Sequence, residues 1–112
     1  MIVISDTSCL SALIQVDMTD LLPRLFGEVI VPEPVYRELQ ALAEFDIVVP
    51  EFTTTPWLKV KTATTNTLLS RLLTELDTGE AHALALSVEL NADLLIIDER
   101  KGRAMAELLE IP

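Results

Sequence analysis

Apolar residues fall in short blocks along the chain, and two kinds of spacing alternate. The run Met1-Ile2-Val3-Ile4 is continuous and short, which predicts a buried strand over 2–4. Ser5-Asp6-Thr7-Ser8 then offers N-cap residues. Leu10, Leu13 and Ile14 recur at helical spacing, predicting a helix to about Val16 that Asp17 to Asp20 interrupts. Leu21, Leu22, Leu25 and Phe26 predict a second short helix, with Gly27 as its stop. Val29-Ile30-Val31 predicts a second buried strand. Pro34 suits the first turn of the helix after it, whose apolar face is Val35, Leu39 and Leu42.

The segment 45–57 carries Pro50, Thr53-Thr54-Thr55 and Pro56, and predicts a loop. Trp57-Leu58-Lys59-Val60-Lys61 alternates. It predicts a third strand at a sheet edge, with Lys59 and Lys61 outward. Residues 67–76 predict an amphipathic helix, and Asp77-Thr78-Gly79 a turn and cap. Glu80 to Glu89 predicts a strong helix with Ala81, Ala83, Leu84 and Ala85 as small apolar surface, ended by Asn91-Ala92-Asp93. A strand over 94–97 and a helix from Arg103 to Leu109 complete the pattern. Strands alternating with helices imply an α/β fold: a parallel sheet of about four strands with helices on both faces and right-handed crossovers.

Composition narrows the class. The 112 residues predict one domain, 1–112. Half the residues are hydrophobic and only 4% are aromatic, so the core is aliphatic. Cys9 is the single cysteine, which excludes an intramolecular disulfide and a multi-cysteine zinc site. No signal peptide and no run of the roughly 20 apolar residues needed to span a bilayer is visible, so a cytoplasmic protein away from the membrane is expected. The net charge of −10 argues against a broad basic groove for nucleic acid. It leaves room for a nucleic-acid substrate at a metal-bearing site and for a basic protein partner.

Four acids stand out. Asp6 follows the first strand and Asp98 the last, while Glu38 and Glu80 sit near helix starts. If the strands are parallel, Asp6 and Asp98 emerge at carboxyl ends on one sheet edge, where open α/β sheets build their sites. Clustered carboxylates repel one another unless a cation compensates them, and an all-oxygen donor set suits Mg²⁺ or Mn²⁺. Plainer roles exist for each acid. Asp6 and Asp98 are good helix caps, Glu38 is placed to pair with Arg37 or another neighbour, and Glu80 suits a helix dipole. Asp77 is better read as an N-cap than as a ligand. The three glycines, Gly27, Gly79 and Gly102, make no phosphate cradle, which counts against a P-loop or a dinucleotide fingerprint.

Four segments carry a more specific signal: Val3-Ile4-Ser5-Asp6-Thr7-Ser8, Val31-Pro32-x-x-Val35-Tyr36-x-Glu38-Leu39, Asp77-x-Gly79-Glu80-Ala81-x-Ala83, and Leu95-Ile96-Ile97-Asp98-Glu99-x-x-Gly102-Arg103-x-x-Ala106. In this order and spacing they resemble the PIN domain family, most closely its branch with a Gly-Glu-Ala helix start. The resemblance implies a three-layer α/β/α fold and a Mg²⁺- or Mn²⁺-dependent ribonuclease, often the toxin of a toxin–antitoxin pair. It assigns metal binding and catalysis to Asp6, Glu38, Glu80 and Asp98. It assigns to Thr7 or Ser8 the orienting of a carboxylate or contact with phosphate. It implies a first and a fourth strand side by side. The family pattern continues beyond Ile111-Pro112, so a C-terminally short domain is expected, either a truncated copy or a subunit that completes itself by dimerisation. An inactive, partner-binding PIN-like protein is the alternative function.

The remaining candidates are weaker. His82 is expected on a helix surface or packed rather than acting as a general base, Cys9 as a small buried hydrophobe, and Trp57 as a core anchor. Arg100, Lys101 and Arg103 form the only basic cluster, and Arg103 is a candidate for holding RNA phosphate. A homodimer and an antitoxin partner are the expected assemblies.

Overall fold

The structure is a computed structural model and describes residues 2–45, 49, 54–97 and 107, with the side chain of Ser8 outside that description. The elements run β1 (Val3–Ser5), α1 (Thr7–Gln15), α2 (Leu21–Phe26), β2 (Val29–Pro32) and α3 (Glu33–Gln40). A 3₁₀ turn (Ala41–Phe45), β3 (Leu58–Lys61), α4 (Thr67–Leu72), α5 (Thr78–Leu90) and β4 (Leu94–Ile96) complete the order.

The four strands pair in the order β3-β2-β1-β4, every pair parallel. The chain winds outward from β1 through β2 to β3. It then returns to the other side of β1 with β4. The reversal point therefore lies between β1 and β4, and a crevice opens there outside the carboxyl ends of the strands. Register places Ser5 opposite Ile96, and the Asp6 amide continues the ladder by donating to the Ile96 carbonyl at 3.0 Å.

Strand alternation divides the core into two layers. Val3, Val29 and Val31 point to a cluster with Leu10, Leu22 and Leu39 from α1, α2 and α3. Ile4, Ile30 and Leu95 point the other way, to Leu72, Leu84 and Leu86 from α4 and α5. This is the expected three-layer α/β/α arrangement. Each fully buried aliphatic side chain contributes roughly 1.5–3 kcal/mol, so both faces are needed to hold the sheet.

Helix α5 is buried on nearly every side. Ala81, Ala83, Ala85, Leu84 and Leu86 are all inaccessible, as expected of a helix apolar around its circumference. Asp77 caps it by accepting from the Glu80 amide at 2.9 Å. Asn91 closes it in the left-handed region at φ 53°, which Asn tolerates. Gly27 ends α2 at φ 80°, the stop expected from its position. Strand β3 is an edge, and Lys59 and Lys61 are exposed on it.

Several boundaries moved. β1 runs one residue further than the apolar block because buried Ser5 still pairs with Ile96, and β4 stops at Ile96. α5 starts two residues earlier than Glu80 because Asp77 caps it. α4 ends at Leu72, and the chain turns through 73–76 while still burying Leu76. On α3, Tyr36 joins the buried face and half-buried Leu42 falls into the 3₁₀ turn. Cys9, expected to be buried, is half-buried. The expected helix over 103–109 lies outside the described residues except Glu107, which is helical and exposed.

Candidate functional site

The site grows from the carboxyl end of β1. Asp6 leaves the strand with extended backbone and caps α1, its Oδ1 accepting from the Cys9 amide at 3.1 Å. It is 1% exposed, which is unusual for a cap of a surface helix. The capping carboxylate is therefore also a buried one.

Thr7 opens α1 next to it. Its Oγ1 donates to Glu38 Oε2 on α3 at 2.9 Å. This bond joins two residues 31 positions apart, over the end of the sheet. Arg37 is committed elsewhere, hydrogen-bonding Glu33 on its own helix, so the local Arg37–Glu38 pairing is not formed.

The N-terminus of α5 closes against the same pair. A Cβ built on Gly79 would lie 2.8 Å from Thr7 Oγ1, 3.3 Å from Val35 Cγ2 and 3.4 Å from Glu38 Oε1. Glu80, the next residue, is 6% exposed in the first turn of α5. Asp6 and Glu80 thus both stand at helix N-termini, where the backbone dipole favours negative charge. Glu38 remains exposed.

Asp98, Arg103 and the other basic residues Arg100 and Lys101 lie outside the described residues, as does Glu99. β4 and Ile97 carry the chain along β1 to within one residue of Asp98. Among the described residues, no three His, Cys, Asp or Glu side chains already form a metal-sized group. The ion pairs Arg24–Asp20 and Arg37–Glu33 are local i,i+4 pairs that include none of Asp6, Glu38 and Glu80.

The other candidates take plainer roles. His82 Nδ1 is 2.8 Å from the Thr78 carbonyl and half-buried on α5. Trp57 is half-buried against the α1–α3 side of the core, lining a small apolar hollow with Tyr36 and Leu39. The sequence points to Asp6, Thr7, Glu38 and Glu80, and it places Gly79 in a turn and in the Gly-Glu-Ala helix start without giving it a role in the site. The available signal was a glycine inside the first turn of a helix, where alanine is the better helix former.

The sequence profile of a PIN domain matches residues 2–112, nearly the whole chain. The chain belongs to the PIN domain family. Its four-stranded parallel sheet between helical layers is the architecture expected of that family. PIN domains are generally nucleases, they bind RNA, and they usually employ divalent metals. Comparison with curated proteins and with solved structures finds no match. Among the described residues, no helix of this PIN domain is long and apolar enough to cross a membrane.

Proposed function

We propose that this PIN domain is a Mg²⁺- or Mn²⁺-dependent endoribonuclease, acting as the toxin of a toxin–antitoxin pair. The observation that carries the reading is the convergence of three helices on one end of the sheet. The Thr7–Glu38 hydrogen bond ties α1 to α3, and Gly79 packs on that bond. Buried Asp6 and Glu80 are the chain neighbours of Thr7 and Gly79. Membership of a nuclease family gives the arrangement its chemistry.

The donor set suits the metal in its chemistry, although Asp6, Glu38 and Glu80 are not gathered into a metal-sized group. Two carboxylates withdrawn from water and a third fixed by a hydroxyl are hard oxygen donors, the type Mg²⁺ and Mn²⁺ select. Asp6, Glu38, Glu80 and Asp98 would hold it. Bound there, the cation would acidify an attacking water and offset charge on the phosphate oxygens. The chain's own residues prepare the site. The Cys9 amide fixes one oxygen of Asp6, and the Thr7 hydroxyl fixes one oxygen of Glu38. The single hydroxyl proton of Thr7 goes to Glu38, so of its two expected roles we assign it the orienting of a carboxylate. Ser8 and Arg103 are assigned to the RNA phosphates.

Calorimetric titration with Mn²⁺ and a fluorogenic RNA cleavage assay test the proposal together. Wild type should bind and cleave, while Asp6→Asn, Glu80→Gln and Asp98→Asn should lose cleavage. Retained cleavage by Asp6→Asn would remove the central claim. For the toxin role, induced wild type should arrest growth of a bacterial host and Asp6→Asn should not.

A further inference from the structure

We infer that Gly79 is a positioning residue for the acidic site: its missing side chain lets Thr7 keep the hydrogen bond that aims Glu38. The inference rests on the metal-dependent reading above.

Gly79 has no conformational need to be glycine. It lies within the first turn of α5 and is not among the positive-φ residues. Alanine would there reduce the freedom of the unfolded chain and favour the helix. What forbids a side chain is space. A Cβ at 2.8 Å from Thr7 Oγ1 is closer than a carbon and an oxygen can stand. Val35 Cγ2 at 3.3 Å and Glu38 Oε1 at 3.4 Å border the other sides. Relief comes from rotation of Thr7 about χ1 to the rotamer that puts its Cβ hydrogen in place of Oγ1, since the other staggered rotamer would put Cγ2 there. Rotation takes Oγ1 off Glu38 Oε2 and frees an exposed carboxylate to rotate. Gly79→Ala should therefore harm the site while leaving the fold nearly intact.

A double-mutant cycle on Gly79→Ala and Thr7→Ala isolates this link. Losing a partner that orients a metal ligand typically lowers affinity or activity about 10–100-fold. Each single variant should lower Mn²⁺ affinity by about 10-fold or more, and the double variant should be no worse than either, since both lose the same hydrogen bond. Thr7→Ser, which keeps the hydroxyl, should bind Mn²⁺ like wild type. Thermal unfolding without metal gives a second reading. Gly79→Ala should raise Tm by roughly 2–5 °C in the Thr7→Ala background, where the clash is gone, and by less in wild type.

Wild-type Mn²⁺ affinity in Gly79→Ala, or multiplied losses in the double variant, would overturn the inference. If wild type neither binds Mn²⁺ nor cleaves RNA, the nuclease reading falls separately. The thermal cycle then decides alone: coupled Tm changes keep Gly79 as the constraint on Thr7 and Glu38, and additive ones overturn it.

Discussion

Asp6 has an observed role in folding and a proposed one in chemistry. Its Oδ1 caps α1 through the Cys9 amide, and it is buried at the strand end, where we propose the acidic site. The two roles separate by substitution. Asparagine caps about as well as aspartate, whereas alanine loses the cap at about 1 kcal/mol. Asp6→Asn should thus keep the cap in metal-free urea denaturation, and Asp6→Ala should fall below Asp6→Asn by about that amount. Both should be inactive on RNA. Equal stability of the two would mean the cap contributes nothing. Asp6, Glu38 and Glu80 stand out in the sequence because acids at strand ends and helix starts depart from an apolar pattern, and the burial of Asp6 and Glu80 is what the structure adds. The Thr7–Glu38 bond was not fixed by local spacing, because it spans 31 residues.

Helix α5 was the most legible element, and the reason is local. Asp77, Gly79 and Glu80 mark its start, and alanines and leucines fill its later turns. Its start still lay two residues before the apolar pattern, because a cap sets a helix boundary and apolar periodicity does not. Tyr36 and Leu42 exchanged importance for another reason. α3 gives way to a 3₁₀ turn at Ala41, so the helical register predicting Leu42 no longer applies. The cap of α5 has a measurable consequence. Asp77→Ala should cost about 1 kcal/mol in chemical denaturation, and Asp77→Asn little. Because Glu80 hangs from the capped amide, Asp77→Ala should also weaken Mn²⁺ binding. Unchanged binding by a folded Asp77→Ala protein would separate the cap from the site.

For the whole molecule, the question is whether the acids act as a site or as part of a general negative field. The net charge of −10 repels RNA and disfavours the compact state through self-repulsion. Any cation relieves that repulsion, but the two cases respond differently. Exposed charges are screened by monovalent salt, whereas buried groups such as Asp6 and Glu80 are screened much less. A ligand bound only by the folded state at 100 times its Kd adds about 2.7 kcal/mol. For a chain of 112 residues that corresponds to a Tm rise of roughly 10 °C. We expect that rise in wild type on replacing EDTA with Mn²⁺, and a much smaller one with NaCl at matched ionic strength. Asp6→Asn should respond equally and weakly to both. If NaCl raises wild type as far as Mn²⁺ does, the stabilisation belongs to the molecule's overall charge, and the acids at the end of the sheet do not act together.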